Sequence, residues 1–460
     1  MPPGADGSEH LRPADWSGRR LHFVGIGGAG MSGLALIARS LGARVTGSDR
    51  AESSYLAELR AAGIEPVIGH AAANVPAGAE VVYSSAVGPE NPERVAATRE
   101  HGGAGELHRA DLLAQIAELK RCLAVTGTHG KTTTTAMIVH VLQGCGLDPA
   151  YVVGGELRGT GNNAAWGGGE WIVVEADESD RSLLKLAPEV AVLTNAELDH
   201  HTTYASSLDL NQTFRDFLDG AADAVVWDRP ELLALSHGAE RVIPYDAEDP
   251  RFSPAGASLR WQGLDVNLRV PGLHNAINAA AALTAAELAG ADPVSAVAAI
   301  AGFIGARRRF ERLGETATGA CVYDDYAHHP TEVAAALAAA RTLAPRRLVA
   351  VFQPHLYSRT RALAREFGEA LAAADICVVV DVYPARERAE DFPGVDGRLV
   401  AAAAADAADG RQVAWLRSLD SAEGWLRSLL RRGDLCLVMG AGDIDSLGRA
   451  LVGSGRAPGR

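Results

Sequence analysis

The chain has 460 residues, with 43 basic against 57 acidic side chains and a net charge of −14. That balance argues against a general binder of nucleic acid or of an anionic membrane, so any phosphate must be held by a local device. Hydrophobic residues make up 47%, enough for ordinary globular cores, and the length fits roughly three domains of about 150 residues.

The opening stretch, residues 1–19, has no apolar signal-peptide core and reads as a flexible arm. No apolar run approaches the ~20 residues that cross a bilayer. Strand-like runs then alternate with Ala/Leu-rich helical patterns: "LHFVGIG", "ARVTGSD" and "AEVVYSSA", then "RCLAVTG", "EWIVVEAD" and "VAVLTNA", and finally "CVYDDYA", "RRLVAVFQP", "ICVVVDVY" and "DLCLVMGAGD". Runs that are apolar on both faces suit parallel strands covered by helices, and the alternation predicts α/β domains. The predicted domains span 20–115, 116–315 and 316–460. "WLRSL" occurs twice, at Trp415 and Trp425, a spacing that fits a helix. The five cysteines are widely spaced, without a C-x-x-C, and read as reduced, mostly buried thiols in a cytoplasmic protein.

Two glycine loops carry the chemistry. Gly25, Gly27, Gly28 and Gly30 lie between a strand and a helix, and Asp49 closes the next strand. Glycines there allow a tight turn and close approach of a diphosphate to a helix N-terminus. The motif does not choose between NAD and another diphosphate carrying a ribose, so a nucleotide-dependent oxidoreductase stays open at this point.

The second loop, "GTHGKTT", joins strand "CLAVT" to the helix that follows. Only three of the 43 basic residues are lysines, and Lys131 stands in this loop. Gly127, Thr128, His129, Gly130, Lys131, Thr132 and Thr133 form a shortened phosphate loop. Its backbone N–H groups cradle phosphates, its lysine reaches the terminal ones, and its Thr hydroxyl ligates magnesium. A nucleotide-gated interaction module shares that loop.

Downstream, "VVEADESD" presents Glu175, Asp177, Glu178 and Asp180 at a strand end, where one carboxylate can hold Mg²⁺. "LTNAELDHH" adds Asn195, Glu197, Asp199, His200 and His201, a set better suited to a hard divalent cation than to zinc. "GLHNAIN" places His274, Asn275 and Asn278 at a helix start, where Asn275 reads either as an adenine contact or as an N-cap. Arg307, Arg308 and Arg309 form a basic cluster suited to phosphate.

Taken together, "GTHGKTT", "EADESD", "TNAELDHHTTY", "GLHNAINAAAA", "RRRFE" and "YDDYAHHPTEV" resemble the Mur ligases, the ATP-dependent amide-forming enzymes of peptidoglycan assembly, over nearly the whole chain after residue 20. The resemblance implies an N-terminal Rossmann-like UDP-binding domain, a central P-loop ATPase-like domain and a C-terminal Rossmann-like domain. "GIGGAGMSGLA" and "FQPHLYSRTRAL" look most like the member that joins L-alanine to the lactyl carboxylate of UDP-N-acetylmuramate. A tripeptide-recycling member is the alternative. By resemblance, ATP would meet Gly127–Thr133, His274, Asn275, Asn278 and Arg309. One or two Mg²⁺ ions would meet Thr132, Glu175 and His200. UDP-N-acetylmuramate and L-alanine would meet Gly25, Gly27, Gly28, Gly30, Asp49, His70, Ser84, Tyr326, His355 and Arg359. Lys131, Glu175, His200 and Arg359 would carry the catalysis, with His329 and His355 as candidate bases. A monomer or weak homodimer is expected, with no nucleic-acid or membrane partner. Leu356 departs from the basic residue common in that family, and no lysine follows Lys185 to serve as the carbamylated lysine of other members.

Overall fold

The structure, a computed structural model, describes residues 16–100, 105–159, 161–199 and 203–453. His200 and His201 lie outside the described residues. Three parallel-rich sheets follow one another along the chain. The first has five parallel strands in the spatial order Val67–Ile68, Arg44–Asp49, Arg20–Val24, Glu80–Tyr83 and Glu106–His108. Four residues expected in the arm are folded onto it. Trp16 is buried, and Arg19 lies over the Trp16 ring and pairs with Glu80.

The second sheet has seven strands: Arg241–Tyr245, Asp223–Trp227, Val190–Leu193, Arg121–Thr126, Trp171–Glu175, Ala150–Val152 and Ala164–Ala165. All neighbours are parallel except the last pair. An antiparallel three-stranded sheet over Glu248–Ser253, Gly256–Trp261 and Leu264–Leu268 follows it. The third main sheet runs Glu311–Glu315, Cys321–Asp325, Asp434–Met439, Arg347–Phe352, Ile376–Val380 and Gln412–Leu416, antiparallel only at its first edge.

The central strands are Val-, Ile- and Leu-rich because both of their faces are covered. Leu123, Val125, Val173 and Val192 on one face, and Ala124, Val174 and Leu193 on the other, are all at 0% exposure. Each fully buried Val or Leu contributes about 1.5–3 kcal/mol relative to exposure. Helices Lys131–Gly144 and Leu273–Leu288 pack against each other through a seam in which Ala276, Ala279, Ala280 and Ala282 are buried, so their backbones approach closely. The first "WLRSL" starts at the end of a strand and only the second lies in a helix, Leu419–Leu429, so sheet pairing with Ile376–Val380 overrode the helical spacing.

Cys122, Cys377 and Cys436 are buried, and burial pushes each thiol up to about 12, whereas Cys145 and Cys321 are half-buried. Among the described residues no helix is long and apolar enough to cross a membrane.

Candidate active site

The phosphate-type loop is built by two residues in left-handed backbone. Gly127 has φ 126° and Gly130 has φ 82°. A Cβ at Gly127 would fall onto the Thr194 hydroxyl and within 2.9 Å of the Asn195 backbone, and one at Gly130 would lie 2.8 Å from Asn278 Oδ1. Both positions therefore need glycine. The neighbouring strand end pins the loop. Asn195 Oδ1 accepts from His129 N at 2.9 Å, its amide donates to His129 O at 2.9 Å, and Thr128 Oγ1 donates to Glu197 O at 2.7 Å. The helix that starts at Lys131 has no side-chain cap, which leaves its first-turn N–H groups for an anion.

Lys131 Nζ donates to Gly127 O at 2.6 Å, to Thr128 O at 3.1 Å and to Glu178, with Oε2 at 2.8 Å. Burial opposes its charge, yet Glu178, Asp177 and Glu175 outweigh burial and raise its pKa. Thr132 Oγ1 donates to Glu175 Oε1 at 3.0 Å, and Glu175 Oε2 accepts from Gly154 N at 2.7 Å. Arg309 Nη2 lies 3.3 Å from Thr132 Oγ1. A hydroxyl and a carboxylate side by side at the mouth of a helix form an all-oxygen donor set that fits Mg²⁺ carrying phosphate and water as its remaining ligands.

Asn278, which is buried, faces Gly130 across the loop. Asn275 is not an N-cap. Gly272 takes that place, and the Asn275 amide donates to Pro271 O at 2.7 Å. His274 is held neutral, its pKa pushed down to about 4 by burial despite Glu332.

The three arginines diverge. Arg307 pairs with Glu156, and Arg308 donates to Gly440 O and Gly442 O. Only Arg309 faces the loop, beside the Tyr326 ring, whose centroid is 5.2 Å from the guanidinium. The expected phosphate cluster is thus one residue, because the other two hold neighbouring segments. Arg359 is buried, and its guanidinium grips both carboxylate oxygens of Asp199 at 2.9 and 3.0 Å. Its Nη1 lies 3.3 Å from His355 Nδ1. His355 stacks on Tyr383, with ring centroids 5.8 Å apart. Burial, then His328 and Arg359, press His355 down to about 3, which makes it a feeble proton acceptor near neutrality.

In the first sheet Gly27 N donates to Asp49 Oδ2 at 2.8 Å, and Gly25 N donates to Ser48 O at 2.8 Å. Gly28 is the N-cap of helix Ala29–Ser40, and Gly30 faces Arg109. His70 Nδ1 lies 2.9 Å from Ser48 Oγ, and Ser84 is half-buried just past strand Glu80–Tyr83. Glu93, fully buried, takes bonds from Ser48 Oγ at 2.5 Å and Asn74 Nδ2 at 2.6 Å, and His22 Nε2 lies 3.4 Å away. Burial would raise its pKa, but His22, Ser48 and Asn74 outweigh it and hold the carboxyl at about 2. Sequence reasoning missed Glu93, since "NPERV" reads as a solvated helix start. It also missed the roles of Glu178 toward Lys131 and Asp199 toward Arg359, although both stand in motifs it singled out.

Three family models tile the chain: the Mur ligase family catalytic domain over residues 20–121, the Mur ligase middle domain over 125–286, and the Mur ligase glutamate ligase domain over 308–442. The chain is 46% identical over 456 residues to a UDP-N-acetylmuramate–L-alanine ligase of Kineococcus radiotolerans, covering 94% of this chain and 95% of that protein. The chain belongs to the Mur ligase family. A UDP-N-acetylmuramate–L-alanine ligase of Gloeobacter violaceus is 44% identical over 444 residues, covering 94% of this chain and 95% of that protein. Among solved Mur ligase structures, a UDP-N-acetylmuramate–alanine ligase of Thermotoga maritima matches with a TM-score of 0.81 and 30% identity, covering 95% of this chain and 98% of that one. A murein peptide ligase of Psychrobacter arcticus shares the fold, with a TM-score of 0.69 at 24% identity and coverage of 95% and 98%. The α/β architecture, with its three parallel-rich sheets, is therefore that of a Mur ligase.

Proposed function

We propose that this chain is an ATP-dependent ligase that joins L-alanine to the lactyl carboxylate of UDP-N-acetylmuramate, giving UDP-N-acetylmuramoyl-L-alanine, ADP and phosphate. The observation that carries the ATP-dependent part of this reading is the meeting of Thr132 and Glu175 with Arg309, from the segment leading into the third sheet, beside the Lys131–Glu178 pair. It is supported by relatives named for that reaction, 42–46% identical across 94% of the chain.

In this reading the loop N–H groups from Gly127 to Thr133 receive the triphosphate. Lys131 turns from Glu178 toward the terminal phosphates, and Arg309 balances charge on the transferring phosphoryl group. Thr132 and Glu175, with His200 as a further ligand, would hold Mg²⁺, which would supply charge neutralisation at the phosphate oxygens. His274, Asn275 and Asn278 lie on the adenine side. Gly25 to Gly30, Asp49, His70 and Ser84 hold the UDP moiety. The lactyl carboxylate becomes an acyl phosphate, the amine of alanine attacks its carbonyl carbon, and phosphate leaves. Tyr326, His355 and Arg359 border the amino acid, whose carboxylate would share Arg359 with Asp199. Units cut near residues 115 and 315 would close to keep water from the acyl phosphate. We place the enzyme in the cytoplasm as a monomer or weak homodimer.

The deciding experiment is ADP release with UDP-N-acetylmuramate plus either L-alanine or L-alanyl-γ-D-glutamyl-diaminopimelate. L-alanine is expected to be preferred, with glycine and L-serine weaker. Faster turnover with the tripeptide would overturn the alanine assignment and leave the family reading standing.

A further inference from the structure

A second cluster of ligand atoms lies beside the phosphate-type loop, and the reaction proposed above uses the backbone of His129 but none of the cluster's side chains. His129, Glu197 and His329 converge so that one ligand atom from each lies within 4.8 Å of the others. His129 Nε2 is 3.4 Å from Glu197 Oε2, and His329 Nδ1 is 3.8 Å from the same oxygen. A tetrahedral ion with bonds of about 2.1 Å needs ligand atoms about 3.4 Å apart, so only small side-chain rotations separate this arrangement from a coordination shell.

The hydrogen bonding around the cluster prepares it for an ion. His129 Nδ1 lies 3.2 Å from Glu332 Oε1. Burial opposes the His129 charge, but Glu332 and Glu197 outweigh it and raise its pKa to about 9, so an ion must displace the Nε2 proton while Glu332 stays on Nδ1 as outer-shell support. His129 Nε2 is buried, and its 3.4 Å contact with Glu197 Oε2 is long for a hydrogen bond. His329 Nδ1 accepts only a long bond, 3.4 Å, from Thr331 N, so its lone pair is weakly engaged. Thr331 Oγ1 donates to Glu197 Oε2 at 2.6 Å and orients that carboxylate.

Two imidazoles and one carboxylate form a borderline donor set, unlike the oxygen pair of Thr132 and Glu175. His129 and Glu197 belong to the second sheet's loops, whereas His329 caps helix Pro330–Thr342 of the third. We propose that His129, Glu197 and His329 form a binding site for a divalent cation of the zinc class, separate from the magnesium site and bridging the central and C-terminal units. Glu197, at 41% side-chain exposure, is the most exposed of the three residues.

Co²⁺ is the probe, read by its visible absorption on the full chain in excess Mg²⁺ to occupy the oxygen site, with displacement by Zn²⁺. One Co²⁺ per chain is expected, retained in Glu175→Gln, and weakened about tenfold or more in His329→Ala and in Glu197→Gln. Glu332→Gln is expected to weaken binding about 10–100-fold through the outer shell. Glu197→Gln keeps the test readable if His329→Ala disturbs the helix cap, because that side chain is partly exposed. No Co²⁺ signal in the native chain, or a signal unchanged in both Glu197→Gln and His329→Ala and abolished by Glu175→Gln, would overturn the site.

Discussion

Arg359 and Asp199 form a bidentate ion pair between the third sheet's helix Tyr357–Leu371 and the loop that leaves strand Val190–Leu193, with 5% and 4% side-chain exposure. Removing one partner of such a pair leaves an uncompensated buried charge and costs about 3–5 kcal/mol. Arg359→Ala and Asp199→Asn are both expected to lower the thermal midpoint. Arg359→Ala is also expected to raise the KM for L-alanine about 10- to 100-fold, the worth of a charged bidentate contact, with little change in the KM for ATP. Arg359→Lys should fail to rescue, since an ammonium lacks the fork. Equal rises in both KM values would show that the pair merely holds the units together.

Lys131 is wrapped by the carbonyls of Gly127 and Thr128 and by Glu178, a space that fits an ammonium and not a guanidinium. Lys131→Ala and Lys131→Arg are each expected to cut kcat on the order of 10³-fold with circular dichroism unchanged. Gly127→Ala should do the same by displacing Asn195. Near-normal turnover by either lysine variant would remove the ATP role from this loop.

Glu175 bonds Thr132 and Gly154 at once. Glu175→Ala should raise the Mg²⁺ concentration for half-maximal rate and reduce the maximal rate about 10²-fold or more. His200→Ala is expected to behave likewise. A titration of rate against Mg²⁺ that matches the unmodified enzyme in both variants would exclude them as ligands.

Asp324 is fully buried, and Arg308 Nε lies 3.3 Å from its Oδ2. Burial raises its pKa to about 7; Arg308 opposes the rise, and Asp445, Asp325 and Glu311 add to it. Its folded pKa lies above the unfolded value of about 4, so the native state holds the extra proton between those values. Stability should therefore fall as pH climbs from about 4 to about 7, by at most about 4 kcal/mol from this group. Thermal midpoints at about pH 5 and about pH 8 should differ by less in Asp324→Asn than in the native chain. An unchanged difference would assign the slope to other groups.

The strand–helix alternation was legible because parallel strands covered on both faces leave unbroken apolar runs, as in "ICVVVD". The loop at Gly127 to Thr133 was legible because glycine, lysine and threonine in that order serve one geometry. What stayed hidden was pairing at long range. Nothing local tells that Asp199 belongs to Arg359, that Glu178 holds Lys131, or that Arg307 turns away to Glu156. Those partners are set by how one sheet's loops meet another's, and a charge in a motif looks the same whether it faces substrate or a neighbouring domain. Trp415 shows the same limit, since its helical spacing yielded to pairing with the next strand.

Burial of Cys122, Cys377 and Cys436 leaves two partly exposed thiols, Cys145 at the end of the helix that begins with Lys131 and Cys321 at the start of a strand in the third sheet. A maleimide dye reaches these two ahead of the others, one on each of the units that Arg359 and Asp199 join. The unaltered chain thus carries its own donor and acceptor positions for a spectroscopic ruler. Energy transfer between them would record, turnover by turnover, whether nucleotide draws the two units together.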